Sequence, residues 1–478
     1  MKKNLSILLV IIMLISLVGC SSTSNKTNDS NNKATDKENT APTDVLAKEE
    51  DAEADNLPAA PVEIELWTDM TINDAILTDM IAKFEEAYTA KGHNYTVKLN
   101  KFAGSERSAL ISAAIETKTL PALLLSAWFT TSDYVHQGLI ADITDIADTV
   151  KDDMYDSVYN AALIDGKSYM VGLYQSYYGF LYNADMLKAA GLEKFVPENE
   201  YEVAAWSLDD FENTILPALS ANFAGTEKYP IGLFAADNQA DTFMMNWLTC
   251  MGGKLWDNGY SVAGDDANTV EALDKIISWM NNGLTNTNVV TKSGAEVGGE
   301  FKNQMSAITS GQFTNYKANL LSMEKGEIEK FDMRIGAIPV KNNGTDIYTM
   351  ADYIYGASVM NNGNEDQIAV GKEFIRWLLS DRESLTAINT NAFPCYASIT
   401  EAAAGDNPVY TELAKMEPYI WDFTGNAAGY VSTRSLLFPE LQAAFSGEKT
   451  AAQALADYQK NANEVIDDYM QNSVVLNQ

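Results

Sequence analysis

The sequence contains few of the residues that many enzymes use for metal binding or nucleophilic catalysis. Only two histidines, His93 and His136, occur in 478 residues, and they lie far apart in the chain. A histidine-based metal site or a Ser–His–Asp triad therefore has little material from which to form. The 66 acidic residues leave open a pair of glycosidase carboxylates, which counting does not exclude. We expect a protein that is not an enzyme and that needs no cofactor and no metal.

Basic residues and cysteines are also scarce. The chain has 33 lysines and arginines against 66 acidic residues, which gives a net charge of −33. A chain this acidic is poorly suited to binding nucleic acid or anionic lipid directly. Of the three cysteines, Cys250 and Cys395 could form a disulfide in an oxidising compartment or remain buried thiols. Their spacing does not decide between these two states.

The beginning of the chain has the pattern of a lipoprotein signal peptide. Two lysines precede an apolar run from Ile7 to Leu17, which is too short for a membrane-spanning helix of roughly 20 apolar residues. The run ends at Leu17-Val18-Gly19-Cys20, which matches the bacterial lipobox. We predict that residues 1–19 are removed and that acylated Cys20 anchors the protein to the outer face of the cytoplasmic membrane.

Residues 20–60 are predicted to form a flexible tether. The segment contains no aromatic side chain and few aliphatic ones. It therefore cannot bury enough apolar surface to offset the entropy lost on ordering. A flexible chain of about 40 residues spans roughly 35 Å from end to end. That reach would let a folded domain stand off the membrane surface.

The remaining chain alternates strand and helix patterns. Val62-Glu63-Ile64-Glu65-Leu66-Trp67 alternates apolar and polar residues, as a half-buried strand does. A helical pattern begins near Asn73, and the apolar run 120–125 predicts a buried strand. Asp165-Gly166 and Asn258-Gly259 predict tight hairpin turns with positive φ angles. Helices are also predicted near 132–137, 268–282, 366–380 and 449–470. Because roughly 418 residues exceed the usual size of one core, we expect an α/β fold with two lobes.

Several short segments occur in an order that resembles one protein family. They are Leu120-Pro121 through Gly138-Leu139, Asp165-Gly166-Lys167-Ser168-Tyr169, Leu181-Tyr182-Asn183-Ala184-Asp185, Gly252-Gly253-Lys254-Leu255-Trp256, Met305-Ser306-Ala307 to Gly311, Gly336-Ala337-Ile338-Pro339 and Ser446-Gly447-Glu448-Lys449-Thr450. Together they resemble the family 1 extracellular solute-binding proteins, which include maltose-binding protein. The resemblance spans about Glu63 to Tyr469. The chain departs from the family at Ala122, where Asp is usual, and at Gln312-Phe313, where Trp usually follows the glycine.

The resemblance implies a two-lobed α/β fold of the periplasmic-binding-protein type (type II), with discontinuous lobes joined by hinge strands. One lobe would contain about 61–176 and 346–393, and the other about 177–345 and 394–478. A solute would bind in the cleft, and the lobes would close around it. The implied partners are the permease subunits of an ABC importer and a separate ATPase, because no Walker-type loop occurs in this chain. We expect a monomer that binds a small solute, with carbohydrate preferred.

A sugar cleft needs aromatic rings for the C–H faces of the sugar and polar side chains for its hydroxyl groups. Asp69 follows the first strand and Trp128 follows the third, and clefts form at the carboxyl ends of parallel strands. Trp67 is interpreted as a packing residue. Tyr177 and Tyr178 lie at the expected crossing between the lobes, where either could line the cleft or wedge the hinge.

The candidates in the second lobe come from the resemblance. Asp241 and Phe243 match positions where relatives have an acid and an aromatic ring that contact sugar. Phe313 stands where many relatives have a stacking tryptophan, and core packing is the alternative reading of both phenylalanines. Tyr430 and Arg434 are one helical turn apart, as in an aromatic–arginine pair of the family. Weaker candidates are Trp421, Asp352, Tyr353 and Tyr355.

Three other classes of function remain open. Similar two-lobed proteins take up polyamines, iron or phosphorylated compounds, and a polyamine would suit the acidic composition. A secreted glycosidase would turn over an oligosaccharide rather than hold it. A surface adhesin or structural lipoprotein would respond to no small molecule.

Overall fold

The computed structural model describes residues 57–237, 239–341, 350–389, 392–405, 407–421 and 424–473. The predicted signal peptide, Cys20 and most of the predicted tether lie outside these residues. The strands are β1 (Val62–Thr68), β2 (Tyr95–Lys101), β3 (Leu123–Ala127), β4 (Leu163–Ile164), β5 (Lys167–Ser168), β6 (Val171–Asn183), β7 (Tyr229–Ile231), β8 (Trp256–Asp257), β9 (Tyr260–Ser261), β10 (Ser306–Gln312), β11 (Met333–Gly336), β12 (Met350–Val359), β13 (Phe393–Pro394) and β14 (Ile420–Trp421).

The helices alternate with these strands. They are α1 (Asp74–Ala90), α2 (Arg107–Thr117), α3 (Trp128–His136), α4 (Thr144–Ala147), α5 (Asp156–Ala161), α6 (Ala184–Ala189), α7 (Leu208–Asp210), α8 (Leu216–Asn222), α9 (Gln239–Cys250), α10 (Ala267–Asn281), α11 (Gly294–Lys302), α12 (Phe313–Lys325), α13 (Glu365–Ser380), α14 (Arg382–Ile388), α15 (Ala397–Ala404), α16 (Val409–Ala414), α17 (Tyr430–Phe445) and α18 (Ala451–Asn472). A π-helical turn, Phe211–Ile215, joins α7 to α8. Among the described residues, no helix is both long and apolar enough to cross a membrane.

The sheet of the first lobe is built around β1. This strand pairs in parallel with β2 on one side and β3 on the other. Ile64 and Leu66 are fully buried, while Glu63 and Glu65, which alternate with them, are exposed, as the alternating pattern predicts. The side chain of Asn73 caps α1, which covers the sheet with Leu77 and Phe84. Because the three strands are parallel, their carboxyl ends meet at one edge of the sheet.

Strand β6 connects the two lobes. All of its thirteen residues are buried. Its first part pairs antiparallel with β12 and β13, and its last part pairs antiparallel with β10 and β11. The strand order along the sheet is β2-β1-β3-β12-β6-β10-β7. Backbone hydrogen bonding therefore continues from one lobe into the other.

Two large hydrophobic cores lie on either side of this crossing. The first draws on residues from Val62 to Tyr174 and from Ile354 to Ile399. The second draws on residues from Tyr178 to Ile338 and from Ala427 to Ile466. Cys395 packs in the first core, although the sequence analysis assigned the chain after residue 393 to the second lobe.

The two described cysteines lie in different cores. Cys250 is buried in the second core and Cys395 in the first, so no disulfide bond joins them. Both are buried thiols, which resolves the choice that their spacing had left open. A third, smaller cluster surrounds the crossing strands and contains Tyr177, Phe313 and Phe393.

Local sequence patterns predicted the turns better than the element boundaries. Asp165 and Gly166 have φ angles of 51° and 72°, and Asn258 and Gly259 have angles of 50° and 79°, so both predicted hairpin turns are confirmed. The third strand begins at Leu123 rather than at residue 120. Helix α3 then begins at Trp128, earlier than the predicted start at residue 132, which places Trp128 on a helix.

The crossing has no room for a side chain at Gly356. The register between β12 and β6 shifts at this residue. An added Cβ would lie 2.3 Å from the carbonyl oxygen of Val171 and 2.5 Å from Cγ of Met170. We therefore expect Gly356→Ala to lower the free energy of unfolding by about 1–3 kcal/mol, measured by chemical denaturation.

The matched control is Gly298→Ala in α11, where an added Cβ meets nothing within 4 Å. Alanine is the better helix former, so this variant should be unchanged or more stable by about 0.5–1 kcal/mol. Equal losses in the two variants would contradict the packing argument.

Candidate functional site

Asp69 and Arg107 form a buried ion pair beyond the carboxyl ends of β1 and β2. The Nε of Arg107 donates a 2.8 Å hydrogen bond to Oδ2 of Asp69, and its Nη2 contacts the same oxygen. Only 6% of the Asp69 side chain and 12% of the Arg107 side chain are exposed. Oδ1 of Asp69 is buried and has no hydrogen-bond partner among the described residues. That oxygen therefore lacks the partner that a buried acceptor normally has.

The sequence analysis identified Asp69 but missed Arg107. The signal was present, because Arg107 follows the end of β2 as Asp69 follows the end of β1, and these strands are parallel neighbours. Side chains that follow neighbouring parallel strands reach the same edge of the sheet. Gly104 leaves room for the pair, since an added Cβ would lie 3.3 Å from a side-chain atom of each partner.

Two stacked tyrosines lie on the crossing strands. The rings of Tyr174 and Tyr355 have centroids 4.7 Å apart and planes 23° apart. Burial raises the pKa of Tyr174, so its hydroxyl group stays protonated. Tyr355 contacts both large cores. The side chains of Asp352 and Tyr353 lie outside the described part of the chain.

The two lobes touch where α3 meets the beginning of α17, a contact that we call the α3–α17 interface. Trp128 is 2% exposed, and its Nε1 donates a 3.1 Å hydrogen bond to Oδ1 of Asn426. The ring of Phe129 meets that of Tyr430 edge-on, with centroids 6.2 Å apart. The guanidinium carbon of Arg434 lies 4.9 Å from the centroid of Phe129. Residues of both lobes therefore form one aromatic and cationic surface.

The α3–α17 interface lies close to the Asp69–Arg107 pair. Burial raises the pKa of Tyr134, on α3, to about 12. The charge of Arg107 lowers that pKa, and the charges of Asp133 and Asp69 raise it. These groups are thus near enough to act on one hydroxyl group.

Asp241 holds Arg434 in place. The Nε of Arg434 donates a 2.6 Å hydrogen bond to Oδ2 of Asp241, and Nη2 donates a 3.0 Å bond to Oδ1. Oδ1 also accepts hydrogen bonds from the backbone N–H and hydroxyl of Thr242. The Asp241 side chain has no exposed surface, whereas 12% of Arg434 is exposed. Asp241 therefore faces the arginine and not the space between the lobes.

A family model matches most of this chain. The model for bacterial extracellular solute-binding proteins matches residues 79–418. The chain belongs to this family. The family consists of binding proteins rather than enzymes, and its description places them outside the cytoplasm. A search of curated proteins gave no match.

The solute-binding protein also has the fold of several solved structures. The ABC substrate-binding protein Lmo0181 from Listeria monocytogenes, in complex with cycloalternan, is 17% identical, with a TM-score of 0.65 over 85% of this chain and 100% of that one. The sugar-binding protein MalE from Xanthomonas citri is 13% identical, with a TM-score of 0.69 over 86% and 98%. UgpB from Mycobacterium tuberculosis, in complex with glycerophosphocholine, is 16% identical, with a TM-score of 0.66 over 86% and 100%. These likenesses confirm the predicted two-lobed α/β fold.

Two predicted contact residues of the solute-binding protein are packing residues in the structure. Phe243 is fully buried and stacks on Phe234, with centroids 5.3 Å apart and planes 9° apart. Phe313 is 2% exposed, and the ring of Tyr410 packs edge-on against its ring, with centroids 5.5 Å apart. Both rings are covered by other side chains in this structure, as the core-packing alternative expects. The covering tyrosine comes from a segment far away in sequence, which local patterns do not reveal.

Tyr177 is buried by packing contacts at the crossing strands. Its ring packs on Phe393 at 4.6 Å, and its hydroxyl group donates to Glu417. Ser157 donates a 2.6 Å hydrogen bond to the same carboxylate. Burial raises the pKa of Glu417, while these hydrogen bonds lower it. The network ties β6 to segments of both lobes.

The remaining aromatic candidates lie in different surroundings. Trp67 donates a 2.7 Å hydrogen bond to Glu65 and packs edge-on against Phe102, in line with its interpretation as a packing residue. Tyr178 belongs to the second core. Tyr430 is fully buried, and its ring centroid lies 6.0 Å from that of Trp256. The residue also packs against α3. The Trp421 side chain lies outside the described part of the chain.

The ion pair between Asp241 and Arg434 makes a testable energetic prediction. Asp241→Ala and Arg434→Ala should each lower the free energy of unfolding by about 3 kcal/mol, because each leaves a buried charge without its partner. The double variant should lose less free energy of unfolding than the two single variants lose together. A double-mutant cycle measured by denaturation should give a coupling energy of about 1–3 kcal/mol.

The control cycle uses Glu63→Ala and Lys98→Ala, an exposed pair with side chains 54% and 63% accessible. Its coupling energy should lie between about 0.2 and 1 kcal/mol. If the Asp241–Arg434 cycle gives the same small value, Asp241 does not hold the arginine.

Proposed function

We propose that this protein is the substrate-binding lipoprotein of an ABC importer and that it captures a carbohydrate between its lobes. The observation that carries the proposal is the α3–α17 interface beside the Asp69–Arg107 pair. Aromatic rings and charged groups from both lobes converge there, beyond the carboxyl ends of parallel strands.

This combination of groups suits the surface of a sugar. Sugar hydroxyl groups need donors and acceptors, which Arg107, Arg434 and the second oxygen of Asp69 would supply. Contacts across the α3–α17 interface cover Trp128 and Tyr430 in this structure, so the C–H faces of a sugar ring would pack on these two rings when the lobes are apart. Similar folds carry cycloalternan in the Listeria protein, which supports an oligosaccharide. We propose these five residues as the solute contacts, with Asp241 behind Arg434 as its support.

The crossing strands would act as the hinge. β6 and β12 stay paired while their two ends belong to different cores, so a rotation of one lobe needs only small changes along them. A solute that touches Trp128 in one lobe and Arg434 in the other gains contacts only when the lobes approach. Binding then shifts the population towards the closed form.

The sequence supports a lipid anchor, and the family supports delivery of the solute to a permease. We propose that Cys20 is acylated, that the signal peptide 1–19 is removed and that the tether holds the monomeric binding domain near the outer face of the membrane. Two or more acyl chains suffice for stable anchoring. The closed form would deliver the solute to permease subunits, and a partner ATPase would supply the energy.

A polyamine is the second candidate solute. Asp133 and Asp69 are carboxylates near the aromatic rings of α3, which is the environment that an organic cation prefers. A thermal-shift screen separates the two classes, because a ligand at 100 times its Kd adds about 2.7 kcal/mol to stability. Shifts with oligosaccharides and none with spermidine support our proposal; the reverse result refutes it, and product release from the oligosaccharide would indicate a glycosidase.

The oligosaccharide found in that screen should bind Trp128→Ala about tenfold or more weakly, because the indole face and its Nε1 hydrogen bond are lost. Calorimetric titration measures the change. Trp377→Phe is the matched control, since Trp377 packs on Phe84 and Phe374 in the first lobe, and it should keep the Kd of the wild type. Equal affinities for the Trp128 variant and the wild type would remove Trp128 from the site.

Lipid anchoring is tested separately. Cys20→Ser should move the protein from the membrane fraction to the medium and abolish labelling by a radioactive fatty acid, because serine has no thiol to acylate. Cys250→Ser should remain in the membrane fraction, since Cys250 is buried in the second core. Continued acyl labelling of the Cys20 variant would overturn the anchor assignment.

A further inference from the structure

A tight turn of the second lobe presents the side chain of Asn426 to the first lobe. The turn runs from Thr424 to Ala427, and its two central residues, Gly425 and Asn426, have φ angles of 58° and 49°. The N–H of Ala427 donates a 3.2 Å hydrogen bond to the carbonyl oxygen of Thr424. Positive φ angles at both central positions are typical of a type I′ turn, which Gly and Asn tolerate better than other residues. The conformation of this segment is therefore favoured by its own sequence.

The turn is anchored on the second lobe. An added Cβ at Gly425 would lie 2.6 Å from both Cβ and Cγ of Trp256, so the turn packs closely on this indole. Trp256 lies against Tyr430, with ring centroids 6.0 Å apart. Tyr430 belongs to the second hydrophobic core. A movement of the second lobe therefore carries the Asn426 amide with it.

The Asn426 amide contacts the first lobe through both of its polar atoms. Its Oδ1 accepts the 3.1 Å hydrogen bond from Nε1 of Trp128, and its Nδ2 donates a 3.5 Å bond to the carbonyl oxygen of Leu163. The orientation of the amide follows from chemistry, because an indole N–H only donates and a carbonyl oxygen only accepts. One side chain of the second lobe thus bridges α3 and β4 of the first lobe.

This bridge occupies the polar edge of a ring that is one of the proposed solute contacts. Trp128 is 2% exposed, and its Nε1 is the only polar atom of the indole. A solute that accepts a hydrogen bond from this N–H must first separate it from Asn426. The amide therefore competes with the solute for one donor.

We propose that Asn426 is an interlobe latch, which holds the two lobes together in the solute-free protein and which the solute must displace from Trp128. Without a solute, the lobes close on each other through this bridge. When a solute takes the indole, the lobes close on the solute instead. The latch lowers the apparent affinity, because only molecules with a free indole are competent to bind. The proposal rests on the proposed capture between the lobes but not on the identity of the solute.

The first experiment measures the arrangement of the lobes with no solute added. Glu116→Cys in the first lobe and Lys460→Cys in the second are exposed positions for spin labels, while Cys250 and Cys395 are buried. Pulsed electron resonance on the full lipoprotein in detergent gives the ratio of short to long distances. Asn426→Gly keeps the left-handed turn and removes the amide, so we expect this ratio to fall about fivefold or more.

Asn258→Gly is the matched control. Asn258 also has a positive φ angle, 50°, in a tight turn of the second lobe, but its amide donates to the neighbouring Asp257. This variant should keep the wild-type ratio. Trp128→Phe removes the donor on the other side of the bridge and should lower the ratio as well. Trp128→Phe combined with Asn426→Gly should lower it no further than Asn426→Gly alone, since both changes remove one shared bond.

The second experiment separates a latch from a merely structural role. Structural damage would weaken solute binding, whereas loss of a competing contact should strengthen it. In calorimetric titration with the oligosaccharide from the thermal-shift screen, Asn426→Gly should have a Kd about threefold or more below that of the wild type. Asn258→Gly should keep the wild-type Kd.

Each result bears on the proposal. Unchanged lobe distances in Asn426→Gly overturn it, as does an equal fall of the ratio in Asn258→Gly. Weaker solute binding by Asn426→Gly would show that the amide supports the bound solute, which also overturns the latch. If no oligosaccharide binds, the carbohydrate assignment fails, while the distance measurement still decides the latch because no solute takes part in it.

Discussion

The continuous pairing of β6 with strands of both lobes is the constraint on which the rest of the structure depends. A strand whose thirteen residues are all buried cannot leave the sheet without exposing two cores. Paired backbone strands, with β6 at their centre, therefore join the two lobes. Gly356 and the Tyr177–Glu417 contact show how closely that crossing is packed. A rigid crossing turns a small rotation at the hinge into a larger displacement at the facing helices.

Electrostatics at the facing surfaces are organised around three carboxylates. Asp69 and Asp241 each hold an arginine, so those two charges are compensated before any solute arrives. Such preorganised guanidinium groups keep their planar donors in fixed directions, which favours selective recognition of hydroxyl or anionic groups. The third, Asp133, is buried and meets backbone N–H groups of Gly429, Tyr430 and Val431. In a chain with a net charge of −33, the two compensated pairs also spare the lobes some of the repulsion between their surfaces.

The sequence predicted those features that depend on residues close together in the chain. The alternation in β1, the helix after Asn73 and both Asp/Asn-Gly turns follow from side-chain periodicity and from backbone angles that few residues tolerate. The fold followed from the order of short motifs. The burial of Phe243 and Phe313 was harder to predict, because the rings that cover them approach through tertiary packing. Arg107 was missed because its pairing with Asp69 depends on β1 and β2 being neighbours in the sheet, which the sequence pattern does not reveal.

The separate burial of Cys250 and Cys395 has a consequence for how the protein matures. Each sulfur atom sits inside a different lobe, so neither lobe waits for an oxidant, an isomerase or a partner thiol to complete its fold. The described part of the chain therefore depends on no disulfide bond between these two cysteines to reach its native form, under reducing and oxidising conditions alike. The two buried thiols also provide one reporter group for each lobe. A thiol reagent that reaches one and not the other would report which lobe has opened, since the reporters belong to different cores.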